Sequence, residues 1–471
     1  MLKVHNTMSN KTEEFQPMNP EKVTMYVCGP TVYDYPHLGH ARCYITWDTV
    51  YRYLKYSGYN VLYCRNVTDV DDKILAKASA ENTTAEVISG RYYKIFADAM
   101  KALNTLSPDF EPRATKTLGE MIKMVKTLIE KGHAYEVDGD VYFRVKSFPD
   151  YGMLSKQPID DLEAGARIDT DERKEDPLDF ALWKKDEKFG YPSPWSIGRP
   201  GWHIECSAMS KKYLGEQIDI HAGGADLIFP HHENEIAQSV CANGKPFVKY
   251  WLHNGFVTIN KEKMSKSLKN FITINELLEK YSADTVRFFI LTNHYRMPVE
   301  FNEEALNSAK AGFSRLQGTL DNLSDLVVDK KFETEETEKF KNAMDNDFNT
   351  SVALSVLFDT AGKANSAHAA GNTEEASKYV TVLSELMHVL GFTCEKGLIS
   401  EDKLRDKIAP ILKEFQIDVE NAYEAMDKIL EIRAKARAEK NWDLSDKIRN
   451  EFDKIGIIFN DGKEKSVWCE K

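Results

Sequence analysis

The sequence predicts an α/β fold: a Rossmann-type parallel sheet with an insertion, followed by an α-helical bundle and a small C-terminal domain. Three observations indicate this fold. Short apolar runs typical of buried strands alternate with helical patterns over the first 250 or so residues. Charged runs and prolines interrupt this alternation once. Beyond about residue 301, apolar residues recur only at helical spacing.

Length and composition indicate a multidomain globular protein. The 471 residues exceed one ordinary domain, and the 42% hydrophobic content is typical of a sizeable core. No run approaches the roughly 18 apolar residues of a membrane span, and "MLKVHNTMSNKTEEF" lacks a secretory signal pattern. Seven cysteines in so long a chain favour reduced thiols and metal ligands over a disulfide framework. We therefore expect a cytoplasmic protein with no membrane partner.

Net charge excludes little about the partner. The formal charge of −12 argues against broad, non-specific attraction to nucleic acid. A locally basic groove remains compatible with it. The partner must therefore be inferred from motifs.

A strand, a helix and a second strand form the first unit of the predicted sheet. "KVTMYVCG" is an apolar run before Gly-Pro, and "YNVLYCRNVT" is the second strand. Residues between them recur at helical spacing: Cys43, Trp47, Val50 and Leu54. Cys28 and Thr68 then lie near the carboxyl ends of parallel strands, where open α/β sheets bind their ligands.

The remaining domain boundaries follow from the same patterns. "EQIDIHAGG" is a strand that runs into a Gly-rich turn, and "PHHENEIAQS" is the start of the next helix. We expect residues 1–103 and 201–250 to be two halves of one nucleotide-binding sheet, separated by an insertion at 104–200. A loop and connecting helices would occupy 251–302, the bundle 303–400 and the C-terminal domain 401–471. The bundle prediction rests on apolar residues three and four apart: Leu306, Ala309, Phe313, Leu316, Leu320 and Leu323.

The tetrapeptide HLGH, His37 to His40, is the first candidate for chemistry. Gly39 lets a ligand approach the backbone, and the helix that begins here offers free N–H groups to a phosphate. Two imidazoles can donate to a phosphate as its charge develops. The alternative is that both histidines are surface or capping residues.

"KEKMSKS" is the second candidate, a short polar loop after the strand-like "NGFVTI". Its ammonium groups, Lys261, Lys263 and Lys266, can neutralise a pyrophosphate leaving group. The alternative is an ordinary solvated basic loop. The pattern G-x-x-x-x-G-K-[ST] is absent from the sequence, which excludes a P-loop.

Four scattered residues could hold a metal: Cys28, Cys206, His231 and Glu235. His231 and Glu235 are four apart on a predicted helix and share a face. This mixture of thiolate, imidazole and carboxylate suits zinc better than magnesium. Neighbouring side chains could serve instead: His221, His232 and Glu233. Free cysteines also occur commonly as small buried hydrophobic residues.

The C-terminal segment offers a weaker signal. Between Lys428 and Lys454 there are eight Lys or Arg residues against six Asp or Glu, which favours a solvated helical hairpin. Trp442 and Trp468 could stack on unpaired bases, although tryptophans pack into cores more often.

Together the motifs resemble a known family. HLGH, followed some two hundred residues later by KMSKS (Lys263 to Ser267), resembles the HIGH and KMSKS pair of class I aminoacyl-tRNA synthetases. The strings "MYVCGPTVYDYPHLGHAR", "NVTDVDDKI", "RPGWHIECSAM" and "FPHHENEIAQS" narrow the resemblance to the cysteinyl-tRNA synthetases, over essentially the whole chain.

The resemblance implies a set of ligands for the amino-acid substrate. The four candidate metal ligands named above fall on the family's zinc ligands, with one Zn²⁺ per chain. The family's substrate-binding positions are occupied here by Gly29, Thr31, Thr68 and Trp202. Of these, Trp202 falls where the family closes an aromatic side chain over the amino acid.

The resemblance also implies the groups that act on ATP. His37, Gly39, His40 and Lys266 fall on ATP-binding positions, and Mg²⁺ would accompany the nucleotide. The two histidines would stabilise the phosphate transition state, while Lys263 and Lys266 would clamp the departing pyrophosphate. One departure is Lys269, where the family often has glycine, which bears on the mobility of this loop.

The implied activity is ATP-dependent ligation of L-cysteine to tRNA(Cys). The cysteine carboxylate attacks the α-phosphorus of ATP, and the acyl group passes from the adenylate to the terminal ribose of the tRNA. We expect a monomer whose bundle binds the anticodon stem and whose C-terminal domain binds the anticodon. Two alternatives remain: a ligase joining cysteine to an amino sugar, whose members lack the anticodon-binding part, and a non-catalytic RNA-binding paralogue.

Overall fold

The structure is a computed structural model that describes residues 1–157, 173–259, 262–263, 271–393, 401–415, 417, 421–461 and 466–470. Its strands, in chain order, are β1 (Lys3–Asn6), β2 (Lys11–Glu14), β3 (Val23–Val27), β4 (Val61–Arg65), β5 (Ala134–Val137), β6 (Asp140–Phe143), β7 (Phe180–Lys185), β8 (Tyr191–Pro192), β9 (Ile197–Pro200), β10 (Ile218–Gly224), β11 (Val248–Asn254), β12 (Val257–Ile259), β13 (Glu262–Lys263), β14 (Val299–Glu300), β15 (Ile457–Asp461) and β16 (Ser466–Glu470).

The α-helices are numbered in the same way. They are α1 (Leu38–Tyr56), α2 (Asp72–Ala80), α3 (Ala85–Ala102), α4 (Leu118–Glu130), α5 (Trp202–Tyr213), α6 (Glu233–Asn243), α7 (Ile274–Lys280), α8 (Ala283–Leu291), α9 (Glu303–Asn322), α10 (Glu335–Asp345), α11 (Thr350–Ala369), α12 (Thr373–Val389), α13 (Glu401–Glu414), α14 (Ala422–Ala438) and α15 (Trp442–Lys454).

A parallel sheet with strand order β11-β10-β3-β4 forms the centre of the first half of the chain. Helix α1 connects β3 to β4, which confirms the predicted strand–helix–strand unit. Met25 of β3 pairs with Ile220 on one side and with Tyr63 on the other. Because β3 precedes both of its neighbours in the chain, the strand order reverses there, and a ligand crevice is expected at its carboxyl end. The predicted fold class is confirmed.

Residues 134–200 contribute an antiparallel sheet of order β5-β6-β7-β9-β8. Its buried face packs into the same hydrophobic core as the first residues of α5. That shared core includes Val141, Phe143, Trp183 and Ile204. The continuous core holds this sheet beside the carboxyl edge of the parallel one.

Helices α9 to α12 form the predicted bundle. The spacing of apolar residues is confirmed on α9, where the periodic positions are buried: Leu306, Ala309, Phe313, Leu316 and Leu320. Asn302 caps this helix by accepting a hydrogen bond from the Ala305 N–H at 2.8 Å, and two glutamates follow in its first turn. The bundle core is continuous with that of the parallel sheet.

The C-terminal segment has a core of its own. Helices α14 and α15 form the predicted helical hairpin, and a β-hairpin of β15 and β16, which the sequence analysis did not predict, follows it. The core residues include Leu404, Met426, Ile429, Ile448 and Phe452.

Among the helices in the described part of the chain, none combines the length and the apolar character that crossing a membrane requires.

One buried arginine connects the sheet to the bundle. Arg287 on α8 donates to the Asp48 carboxylate of α1 at 2.8 Å and to the carbonyl oxygens of Leu103 and Leu390 at 2.8 and 3.1 Å. Both charged side chains are almost fully buried, so neither can exchange its partner for water. Asp48 has a second cationic partner in Arg52 at 2.9 Å, so removing Arg287 leaves the buried carboxylate only partly compensated.

We predict that Arg287→Met lowers the free energy of unfolding by about 3 kcal/mol, because Asp48 keeps only Arg52 as a charged partner and the carbonyl oxygens of Leu103 and Leu390 lose a donor. Urea unfolding followed by circular dichroism measures the change. The control is Arg91→Met, which removes a more exposed partner of Glu81 and should change the stability far less, because solvent screens that pair. Similar losses in the two variants would contradict a special role for Arg287.

Candidate active site

The four predicted metal ligands come together at the carboxyl end of β3. Cys28 follows β3, Cys206 lies on α5, His231 lies in the turn that leads into α6, and Glu235 lies on α6. All four side chains are buried, and their ligand atoms are mutually close. The Cys28 and Cys206 Sγ atoms are 3.9 Å apart, and Glu235 Oε1 is 3.7 Å from Cys28 Sγ and 3.1 Å from His231 Nε2.

These separations fit one tetrahedral zinc ion. Zinc binds sulfur at about 2.3 Å and nitrogen or oxygen at about 2.0–2.2 Å, so tetrahedral angles place two sulfurs about 3.8 Å apart and a sulfur and an oxygen about 3.6 Å apart. The separations of 3.9 and 3.7 Å lie within about 0.1 Å of those values, and the 3.1 Å between Glu235 Oε1 and His231 Nε2 is about 0.3 Å shorter than the roughly 3.4 Å expected for an oxygen and a nitrogen. The donor set also has the softness that zinc prefers.

A second, overlapping group shares Cys28 and Glu235 but replaces the other two ligands with His221 and His232. His232 Nε2 lies 3.2 Å from Cys28 Sγ, whereas His221 Nε2 contacts the far carboxylate oxygen of Glu235, Oε2, at 2.9 Å. The contact with His221 leaves Oε1 of Glu235 turned toward Cys28 and His231. The other competitor, Glu233, accepts the backbone N–H of Ser155 at 2.8 Å and belongs to neither group.

The charges of the four ligands favour a cation between them. Although burial opposes ionisation, His221 and His231 lower the pKa of Glu235 to about 2. Burial likewise disfavours the imidazolium of His231, yet Glu235 and Cys206 raise its pKa to about 10. A hydrogen bond from Cys28 lowers the pKa of Cys206 to about 6, while burial raises that of Cys28. An imidazolium therefore balances two anions, a place that a metal cation can take.

The metal-type cluster consists of Cys28, Cys206, His231 and Glu235. Trp202, the first residue of α5, lies over this cluster. Its ring stacks on that of His231 with centroids 4.1 Å apart and planes at 30°. His203 Nδ1 lies 3.0 Å from His231 Nδ1 and fixes the ring from the other side. Trp202 is 40% exposed, so it covers His231 while remaining open to solvent.

The predicted substrate positions Gly29, Thr31 and Thr68 lie on the touching ends of β3 and β4. The Gly29 N–H donates to Asn66 Oδ1 at 2.7 Å, and a Cβ on Gly29 would lie 1.5 Å from the Asn66 carbonyl oxygen. Thr31 and Thr68 form an isolated parallel bridge. Only glycine allows this approach of the two strand ends.

Asn66 and Glu205 are functional candidates that the sequence analysis missed. The Thr68 hydroxyl donates to Glu205 Oε2 at 2.6 Å, and Asn66 Nδ2 donates to Thr68 Oγ1 at 3.4 Å. Asn66 Oδ1 is also 3.7 Å from Cys206 Sγ, so Asn66 joins Thr68 to the cluster. Burial raises the pKa of Glu205 well above its usual range. Their only sequence signal was membership of "YNVLYCRNVT" and "RPGWHIECSAM".

HLGH forms the start of α1. The Gly39 N–H donates to His37 Nδ1 at 3.2 Å, and the His37 N–H donates to His40 Nδ1 at 3.1 Å, with ring centroids 4.0 Å apart. The histidines therefore cap the helix, as one alternative had it. They also lie at a helix N-terminus facing the carboxyl edge of the sheet, where an anion is stabilised.

His40 connects this helix start to the metal-type cluster. Its ring is parallel to that of Tyr44, with centroids 6.4 Å apart, and the Tyr44 hydroxyl donates to the Cys28 carbonyl oxygen at 3.2 Å. The HLGH turn and the cluster are therefore two parts of one site.

The predicted basic loop is described only at its ends. Lys263 lies in β13, whereas Lys261, Lys266 and Lys269 lie outside the described residues. After the loop, the Leu38 N–H donates to the Ile272 carbonyl oxygen and the Ile274 N–H to that of Pro36, both at 2.9 Å. The chain therefore returns from the loop directly against HLGH.

Comparison with known proteins defines the class of protein. Residues 14–311 match the family model described as the tRNA synthetases class I (C) catalytic domain, and residues 339–394 match the DALR domain. A solved structure of Mycobacterium tuberculosis methionyl-tRNA synthetase in complex with methionyl-adenylate shares the fold, with a TM-score of 0.58 and 16% identity. That similarity covers 87% of this chain and 94% of the other. The chain therefore belongs to the class I tRNA synthetases, and its catalytic-domain match spans the residues of the candidate site.

Sequence relatives narrow the class to one family. The chain is 47% identical to a cysteine–tRNA ligase of Dehalococcoides mccartyi and 47% identical to one of Shewanella sediminis, over 100% of both chains in each case. It is 46% identical to a cysteine–tRNA ligase of Geobacter metallireducens, again over 100% of both chains. The chain belongs to the cysteine–tRNA ligase family, which confirms the resemblance drawn from its motifs.

We predict that Gly29→Ala lowers the free energy of unfolding by about 1–3 kcal/mol, because the added methyl group must push the ends of β3 and β4 apart. The control is Gly119→Ala on α4, where no atom lies within 4 Å of the new Cβ and the change should be neutral or stabilising. Urea unfolding of both variants gives the comparison. Equal stabilities would show that the strand ends separate freely.

Proposed function

We propose that this protein activates L-cysteine with ATP and transfers it to tRNA(Cys), selecting cysteine through a zinc–thiolate contact, as a cytoplasmic monomer. One observation carries the proposal: a buried Cys/Cys/His/Glu cluster and the HLGH helix start share the carboxyl end of β3. The first can bind a thiol, and the second can bind a phosphate. Cysteine activation requires both groups within the length of one aminoacyl adenylate.

Selectivity is the reason for a metal in this site. Discrimination of ~10⁴ to 10⁵ between cysteine and serine corresponds to roughly 6–7 kcal/mol, whereas a shaped pocket supplies only ~1–3 kcal/mol. When bound, zinc would hold the substrate sulfur as a thiolate, which the much less acidic serine hydroxyl cannot match. The proposed ligands are Cys28, Cys206, His231 and Glu235, because Trp202 stacks on His231, which belongs to this group and not to the second. The family resemblance and the donor geometry together support this assignment.

The remaining site residues act on ATP in this proposal. His37 and His40 would donate to the α-phosphate as charge develops, and Gly39 would let the nucleotide approach the backbone. Lys263 and Lys266 would hold the departing pyrophosphate, and Mg²⁺ would accompany ATP. Support comes from the hydrogen bonds that place the chain after the basic loop against HLGH.

The proposed division of labour follows the sequence boundaries. Residues 1–103 and 201–250 would carry activation around the insertion at 104–200, with the basic loop in 251–302. Residues 303–400 would bind the anticodon stem and 401–471 the anticodon. The match of residues 339–394 to the DALR domain and the separate core of α13 to α15 are compatible with these boundaries.

Two assays test the function. Cysteine-dependent exchange of labelled pyrophosphate into ATP should occur with the full-length protein, and a failure would favour a non-catalytic RNA-binding protein. Charging of purified tRNA(Cys) should follow. Exchange without charging would favour the ligase that joins cysteine to an amino sugar.

We predict about one zinc per chain by inductively coupled plasma mass spectrometry, with most of it lost in Cys206→Ser. Cys241→Ser changes another buried cysteine, on α6 and outside the cluster, and should keep its zinc. Zinc retained in Cys206→Ser but lost in His232→Gln would instead assign the metal to the second group, Cys28, His221, His232 and Glu235. X-ray absorption should show an additional sulfur ligand when cysteine is added, and its absence would contradict thiolate selection.

We predict that Lys266→Ala slows adenylate formation by roughly 10²-fold or more, with little change in cysteine affinity, because the lysine neutralises charge that develops only as pyrophosphate leaves. Stopped-flow activation measurements give the rate. Lys280→Ala, at the end of α7, is the control and should behave as the unmodified protein. An unchanged rate for Lys266→Ala would remove that residue from the mechanism.

A further inference from the structure

The hydroxyl of Thr68 has only one way left to contact a ligand. It donates its single proton to Glu205 Oε2 at 2.6 Å, and it accepts a long hydrogen bond of 3.4 Å from Asn66 Nδ2. A hydroxyl has one proton and two lone pairs, so one lone pair remains. Any polar group of a substrate that meets Thr68 must therefore be a donor.

The side-chain amide of Asn66 is held in the orientation in which its nitrogen donates to the Thr68 hydroxyl. Its Oδ1 accepts the Gly29 N–H at 2.7 Å, which turns its amide nitrogen toward Thr68. Since Oδ1 also lies 3.7 Å from Cys206 Sγ, a single asparagine side chain separates the Thr68 hydroxyl from the metal-type cluster. The Thr68 hydroxyl and the metal-type cluster are therefore close enough for one amino-acid substrate to contact both.

Glu205 is a carboxyl group without a cationic partner. It is 1% exposed, and within the described ranges no lysine or arginine forms an ion pair with it. Burial of a carboxylate is costly unless a positive charge lies nearby. A hydrogen-bond donor that binds to Thr68 would partly compensate the buried Glu205 carboxylate if that donor carried a positive charge.

We propose that Glu205 is a positioning residue that fixes the Thr68 hydroxyl as an acceptor for the α-ammonium group of the amino-acid substrate. The inference rests on the proposed function. It extends that function by giving the ammonium end of the substrate a recognition group of its own, beside the one at the thiol end. Adjacent residues of α5 then serve the two ends: Glu205 acts through Thr68, and Cys206 acts on the side of the sulfur.

Two thiol analogues test the inference without ATP. Cysteamine keeps the thiol and the ammonium group, and 3-mercaptopropionate keeps the thiol and the carboxylate. Their binding to the zinc-loaded full-length protein is measured by isothermal titration calorimetry, beside that of L-cysteine. Glu205→Gln should weaken cysteine and cysteamine by about tenfold or more, as expected for losing a charged hydrogen-bond partner, and leave 3-mercaptopropionate within about twofold.

Matched variants separate positioning from folding. Glu233→Gln changes an equally buried carboxyl group that only accepts backbone N–H groups, and it should not alter the ratio of the two analogue affinities. Thr68→Val should reproduce the loss of cysteamine affinity, whereas Thr68→Ser, which retains the hydroxyl, should restore it. Zinc content is measured in each sample.

An equal loss for both analogues in Glu205→Gln, no loss, or a loss for 3-mercaptopropionate alone would overturn the assignment. Should Glu205→Gln not fold, the contrast between Thr68→Val and Thr68→Ser decides in the same way. The binding measurements do not depend on catalysis, so absence of pyrophosphate exchange in the unmodified protein would refute the proposed function separately.

Discussion

Parallel pairing of β3 with β4 on one side and β10 on the other is the constraint on which the rest of the structure depends. The carboxyl ends of the three strands meet where the strand order reverses, and the contact is so close that Gly29 has no room for a Cβ. Cys28 and Asn66 are therefore neighbours although α1 separates them in the chain. The start of α1 follows from the same constraint, because the helix must leave β3 at this edge.

A site this deeply buried is stable only if its charges compensate one another. Glu235 lies between His221 and His231, and Cys206 shares a hydrogen bond with Cys28. Each contact makes one protonation state much more favourable than the other, which fixes the donors in place before a ligand arrives. The buried pair of Arg287 and Asp48 acts likewise near the middle of α1, where it holds the bundle to the sheet.

The sequence pattern was sufficient to predict the elements that are long enough to show a regular run or repeat of apolar residues. The β3–α1–β4 unit was predicted from two apolar runs, which are largely buried on both faces, and from the helical spacing between them, whereas helix α9 was predicted because it buries one regular face. Strands such as β8, with two residues, and the hairpin β15–β16 are too short or too polar at their ends to show a period. In the site, HLGH and the metal-type residues were found by motif. Glu205 was not, because its partner Thr68 lies 137 positions away and only the fold brings them together.

The start of α5 places three neighbouring side chains, those of Trp202, Glu205 and Cys206, in different parts of the site. Trp202 and Cys206 are four residues apart and lie on nearly the same face, so the aromatic ring and the thiol both meet His231 and its surroundings. Glu205, the residue before Cys206, is turned about 100° from it around the helix axis and points toward Thr68. In the proposed function, consecutive residues of one rigid helix turn would therefore serve opposite ends of the substrate, with Cys206 on the side of the sulfur and Glu205, through Thr68, on the side of the ammonium group.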